Sequence, residues 1–175
     1  MEETKEHKIE HSFKKLSSNL EDLTKIYRTL LDLLRHEKDL LIQSNLEKLN
    51  ESNQIKEACL YKLRSMDSAR ERYARELAAL VGADVTAPRL LEIAQRLAGQ
   101  PGDRLRSMHS TLELLVRRVH EINKENEQFA QSALHTLGGA MGELKETLAP
   151  KKTYGRNGKM AQNTDGLGNL SHKEA

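Results

Sequence analysis

The chain has 175 residues, of which 31% are charged and only 3% aromatic, with no tryptophan. This composition argues against a compact β or α/β core, where β-branched and aromatic residues dominate, and suits a helical assembly. From residue 151 onward five Lys and Arg stand against one Asp and one Glu, so the net charge of +2 leaves −1 for residues 1–150, which does not fit a nucleic-acid-binding protein.

The sequence also limits where the protein works. The first twelve residues, MEETKEHKIEHS, are charged and lack the apolar core of a signal peptide. No stretch approaches the roughly 18 apolar residues of a membrane helix. Cys59 is the only cysteine, so no intramolecular disulfide can form. We therefore expect a soluble cytoplasmic protein.

The first predicted helix runs from Ile9 to Gln43. Its apolar residues recur at alternating spacings of four and three, the heptad pattern of packed helices, and only Glu37 interrupts the series. Neighbouring leucines widen the apolar stripe, which favours a multi-helix bundle over a two-stranded coiled coil. The series comprises Ile9, Phe13, Leu16, Leu20, Leu23, Tyr27, Leu30, Leu34 and Leu41.

The segment SNLE, Ser44 to Glu47, predicts a break and a second helix. In a capping box the Ser44 hydroxyl would accept a hydrogen bond from the Glu47 amide. Gly82 then supplies a C-cap. One unbroken helix over residues 9–81 remains the alternative. We prefer the break because a hairpin buries the two apolar stripes against each other.

Two further helices follow. A short one is predicted from Pro88 to Ala98, with Thr86 as its N-cap and Gly99 at its end. Asp103 is the predicted cap of the last helix, which Pro150 stops. Residues 150–175 then lose the apolar period and are predicted to be disordered.

The predicted fold is therefore all-α. We expect an elongated antiparallel helical bundle or coiled-coil hairpin, with three long helices and one short helix. Residues 1–149 would form the bundle domain, and residues 150–175 a flexible basic tail.

No catalytic site is predicted. HKIEH, His7 to His11, matches a zinc-protease pattern, but such a site needs a third ligand in a closed pocket, and none is evident. We interpret these histidines as solvated surface residues. Neither a phosphate loop nor a nucleophile elbow occurs. We expect no metal, no cofactor and no enzymatic activity.

A candidate binding segment lies in the last helix. Gln128 to Gly142, QFAQSALHTLGGAMG, contains no Asp, Glu, Lys or Arg and holds three glycines. Each glycine costs about 1 kcal/mol of helix propensity, so this helix end should be marginal without a partner. We predict that it docks an amphipathic helix of another protein. Close packing inside the bundle is the alternative.

Two asparagines precede that segment. Asn126 occupies an apolar seam position, and Asn123 lies one turn earlier. Asn126 could be a polar core residue that fixes the register of the helices. It could equally help to present a binding surface.

Three stretches together resemble the FlgN family of flagellar type III export chaperones. LLDLLRHEKDLLIQSNLEKLNESNQIKEACLYKL is similar to the family's first hairpin, and HEINKENEQFAQSALHTLGGAMGEL to its last helix. TYGRNGK is similar to the tyrosine–glycine signature that follows. Asn45 stands where the family often has Asp, and Glu127 where it often has Gly.

The resemblance implies a chaperone that holds the amphipathic terminal segment of hook–filament junction proteins and delivers them to the membrane export gate. Tyr154, Gly155 and Gly158 would then be the gate-docking residues. A homodimer remains possible, and a self-assembling coiled-coil scaffold is the alternative function. Pattern and resemblance together predict these client-binding residues: Asn123, Asn126, Phe129, Ala133, Leu134, Leu137, Met141 and Leu144.

Overall fold

The computed structural model describes residues 4–97, 99–148, 153–154 and 160–161. The helices in these ranges are α1 (Lys5–Ile42), α2 (Leu46–Val81), α3 (Leu90–Leu97) and α4 (Gly99–Leu148). The strands β1 (Thr153–Tyr154) and β2 (Met160–Ala161) pair antiparallel, with Tyr154 opposite Met160. The prediction of a helical fold with three long helices and one short helix is confirmed.

The chain divides into two compact units, Met1–Ala130 and Gln131–Ala175. The first unit holds the hydrophobic core. The bundle boundary that we placed before residue 150 stays a prediction, and most of the expected flexible tail lies outside the described residues.

A break after α1 is confirmed, and α1 and α2 form an antiparallel hairpin. Asn19 on α1 donates to the Met66 carbonyl at 3.2 Å, whereas Glu37 near the end of α1 accepts from Lys56 near the start of α2. Residue numbers therefore rise along α1 as the numbers of their contact partners fall along α2, which is the pattern of antiparallel helices. The alternative of one continuous helix is wrong.

The predicted capping box at this turn is wrong by one residue. Ser44 has a φ of +53°, in the left-handed region, whereas an N-cap residue needs extended backbone. Asn45 supplies that conformation, and its Oδ1 accepts from the Lys48 amide at 3.2 Å. The Ser44 backbone thus reverses the chain, and the next residue caps α2.

Gly82 ends α2 as predicted, with a φ of +74°. The Thr86 cap is wrong, because its hydroxyl donates to Asp84 at 2.7 Å and α3 begins only at Leu90. These hydrogen bonds from Thr86 lower the pKa of the Asp84 carboxyl. The Asp103 cap is also wrong: α4 already begins at Gly99, and Asp103 lies inside it, paired with Arg106.

Helix α4 runs parallel to α1. Glu21 pairs with Arg104 at 2.7 Å and Lys38 with Glu125 at 2.8 Å, so residue numbers rise together along both helices. The first unit is therefore an up-down-up bundle in which α3 leads from the end of α2 to the start of α4. All four helices contribute to its main core, which contains Leu16, Leu20, Leu23, Ala74, Leu77, Ala78, Leu90, Ile93, Ala94, Leu105 and Leu112.

A second cluster lies further along the bundle, where Leu30, Leu31 and Leu34 of α1 meet Ile122 of α4. Cys59 of α2 packs against it, half-buried, and burial raises the pKa of its thiol. Cys59 therefore lies on the side of α2 that faces the core.

Candidate partner-binding surface

The burial of the α4 side chains changes along the helix. Its buried side chains within the first unit end with Ile122 and Asn126, of which Asn126 is only 4% exposed. From residue 127 to residue 148 every side chain is exposed except the half-buried Ala130. Among them are the large apolar side chains Phe129, Leu134, Leu137, Met141, Leu144 and Leu148.

Five of these apolar residues share one face of the helix. Leu134, Leu137, Met141, Leu144 and Leu148 follow spacings of three and four, which place them in one stripe along a helix. Leu134 remains 69% exposed and Met141 62%. A contiguous exposed stripe of this kind is typical of a surface that binds another helix.

Small residues accompany the stripe. Ala133, Gly138 and Ala140 each lie directly before or after one of its residues, so a partner helix could approach the backbone closely. A Cβ atom built at Gly138, Gly139 or Gly142 would meet no atom within 4 Å. The described part of the chain thus places nothing against these glycines, which favours our partner-binding interpretation over internal packing.

The two predicted asparagines are not equivalent. Asn123 is exposed, one turn before Asn126. Asn126 points into the bundle, where its Nδ2 donates to the Leu34 carbonyl at 2.8 Å and to Glu37 Oε2 at 3.0 Å. Of the two interpretations left open, the structure places Asn126 as a polar core residue, and we do not include it in the exposed stripe.

Charged side chains lie just before the exposed part of α4, which begins at residue 127. The ion pair with Lys38 holds the pKa of the Glu125 carboxyl below its usual range, mainly through their hydrogen bond. By contrast, residues 128–142 contribute no charge of their own. This segment therefore offers apolar contact and shape, but no charge, to anything that lies against it.

The predicted gate-docking residues lie almost entirely outside the described part of the chain. Tyr154 is described only as a backbone position in β1. Gly155 and Gly158 fall outside the described residues. Their role stays a prediction.

The described ranges contain neither a metal-binding cluster nor a membrane-spanning helix. No group of three or more His, Cys, Asp or Glu side chains there could hold a metal ion. His7 and His11 are both exposed on the first turns of α1. No helix among the described residues is long and apolar enough to cross a membrane.

An open groove of about 830 Å³ in the first unit was missed at the sequence level. Tyr27 of α1 lines it together with Arg70 of α2, Leu91 of α3 and Val116 of α4. Its charged rim is partly neutralised within the protein, as Arg70 pairs with Asp67 at 2.7 Å. Periodicity could not reveal this groove because four separate helices form it.

Comparison with known proteins gave one family. The family model described as FlgN protein matches residues 1–162. Searches of curated proteins and of solved structures found no match.

Proposed function

The chain belongs to the FlgN family, whose members are flagellar export chaperones rather than enzymes, and from this premise we propose that it binds the C-terminal amphipathic helix of hook–filament junction proteins. The bound client would be kept from assembling or aggregating before export. The chaperone would then deliver it to the membrane protein of the type III export gate. In this proposal the protein is cytoplasmic and visits the inner membrane only during delivery.

The exposed apolar stripe of α4 is the observation that supports client binding most directly. Leu134, Leu137, Met141 and Leu144 are all more than half exposed, although their spacing is that of a buried seam. Fully burying one such side chain contributes roughly 1.5–3 kcal/mol. An amphipathic client helix would supply the complementary apolar face.

Gel filtration of the full chain with a synthetic C-terminal segment of a junction protein tests this proposal. We expect co-elution at micromolar concentration. The matched control is a peptide of the same composition whose apolar residues no longer follow a helical period, and it should elute separately. If the intact segment also elutes separately, the proposed client is wrong.

Self-assembly into a coiled-coil scaffold is the competing proposal, since the same stripe could pair with a second copy. Light scattering of the protein alone distinguishes the two. A scaffold grows into large species as concentration rises, whereas a chaperone stays a small discrete particle, either monomer or dimer.

The proposed gate-docking residue Tyr154 can be tested separately from the client-binding residues of α4. We expect Tyr154→Ala to leave client affinity unchanged and to reduce secretion of junction proteins, because a tyrosine beyond α4 can engage the gate while α4 holds the client. Client affinity by fluorescence anisotropy and secreted protein in culture supernatants measure the two effects. Tyr61→Ala is the matched control, because Tyr61 is exposed on α2. An equal fall in client affinity and secretion would contradict the separation of the two sites.

A further inference from the structure

The apolar seam of each long helix contains a polar residue, and one such residue from each helix contacts another in the interior of the bundle. Glu37 is the one polar residue in the heptad series of α1, and Asn126 is the one in the series of α4. Lys56 lies in phase with the seam of α2, one turn before Cys59. In the structure these three side chains form a single layer across the bundle.

The layer is largely interior and its three side chains are joined by hydrogen bonds, although Asn126 Oδ1 has no partner among the described residues. Glu37 is 8% exposed, and its two carboxylate oxygens are divided between the other helices: Oε2 accepts from Asn126 at 3.0 Å and Oε1 accepts from Lys56. Asn126 also donates to the Leu34 carbonyl of α1 at 2.8 Å. The Lys56 side chain, 20% exposed, keeps some access to water.

Without this layer the seams specify the axial position of α4 poorly. Heptad residues are mostly leucine and other aliphatics, so a slip of seven residues, about 10.5 Å along the helix, still sets apolar residues against one another. The same slip would separate Asn126 from Glu37 and from the Leu34 carbonyl, although Lys56 would stay paired with Glu37 on the hairpin. The Asn126 amide and one Glu37 carboxylate oxygen would then be buried without a hydrogen-bond partner, which is unfavourable. The exposed ion pairs Glu21–Arg104 and Lys38–Glu125 are too well solvated to replace it.

We propose that the Lys56–Glu37–Asn126 layer sets the axial register of α4 against the α1–α2 hairpin. The inference stands on the bundle geometry alone. Only its consequence rests on the proposed function: register decides which turns of α4 stay uncovered, and so where the client-binding stripe begins.

Cross-linking in a Cys59→Ala background tests the register. One cysteine replaces Lys38 in every variant. The second replaces Glu125, the ion-pair partner of Lys38, or a residue seven positions before or after Glu125, which is Arg118 or Ser132. A short bis-maleimide should join positions 38 and 125 only. In the double variant Glu37→Leu/Asn126→Leu we expect the yield of the 38–125 cross-link to fall. A cross-link from position 38 to position 118 or 132 should appear in its place.

The double variant removes the two buried polar side chains together, and the Lys56 ammonium, whose side chain is 20% exposed, can turn toward water, so the variant should keep its helical circular dichroism. The single variant Glu37→Asn keeps Asn126 and so retains a polar pair in the layer. In this variant, unlike the double variant, position 38 should cross-link to position 125 alone. Leu34→Ala is the control for stability, because it creates a cavity beside the layer but leaves its hydrogen bonds in place. It should lower the melting temperature while cross-linking stays at position 125.

Three results would overturn the proposal. The first is a double variant that still cross-links only at position 125. The second is a shifted product in Leu34→Ala, because register would then follow stability rather than the polar layer. The third is loss of the helical fold in the double variant, because the layer would then be needed for folding itself. None of these results depends on a client, so failure of the proposed function is measured separately.

Discussion

Replacing Leu137 and Met141 together by glutamate is expected to weaken binding of a junction-protein C-terminal helix by a factor on the order of 100 or more. Each substitution removes a large apolar contact worth roughly 2 kcal/mol and places a carboxylate where the client's apolar face would lie. Both side chains are already more than half exposed, so the folded protein should tolerate the change. Isothermal titration calorimetry with the client peptide measures the loss.

The matched control places the same two charges on apolar residues away from the stripe. Leu114 on α4 and Ile55 on α2 are exposed to a similar extent, at 64% and 58%. Leu114→Glu/Ile55→Glu should therefore bind the client as the parent does. If both double variants bind with parental affinity, the client occupies another surface, and the groove beside Tyr27 and Leu91 becomes the next candidate.

Gly102→Ala is expected to lower the free energy of unfolding by about 1–3 kcal/mol, the usual cost of overpacking. Gly102 is buried in the first turns of α4, where an added Cβ would lie closer to the Ala94 carbonyl oxygen of α3 than van der Waals contact allows. Either α3 or the start of α4 must move. For a chain of this length the loss corresponds to a melting temperature lower by roughly 2–4 °C for each kcal/mol.

Gly139→Ala makes the same chemical change in the same helix and should act in the opposite direction. A Cβ there meets nothing within 4 Å, so the gain in helix propensity, about 0.5–1 kcal/mol, is not offset by a clash. Thermal melts followed by circular dichroism compare the two variants. A Gly102→Ala protein as stable as the parent would show that the contact between α3 and α4 is not tight.

Local sequence patterns were sufficient to predict the helices themselves. The heptad spacing from Ile9 onward, the polar break near Ser44 and the glycine at position 82 each act within a few residues, so the sequence already contains the information. The uncharged segment 128–142 is equally local, and the structure leaves its apolar residues exposed. The resemblance to the FlgN family, carried by the order of three weak motifs, was confirmed by the match over residues 1–162.

The errors arose where two local signals competed. Ser44 and Asn45 are both good N-cap residues, and only the backbone of the hairpin turn, with φ of +53° at Ser44, assigns the cap to Asn45. Likewise the Thr86 hydroxyl, the predicted cap of α3, donates its hydrogen bond to Asp84 instead. Helix α4 begins four residues before Asp103 because Gly102 can pack directly beneath α3.

Composition and periodicity thus determined that this protein is a helical bundle whose last helix contains an uncharged segment, residues 128–142, with several large apolar side chains. They also marked Glu37 and Asn126 as exceptions, separately and without relation to each other. Only the tertiary structure brought these two side chains, 89 residues apart, to within 3.0 Å and added Lys56 from α2. Periodicity describes one helix at a time, whereas the partner of a buried polar group depends on how the helices align.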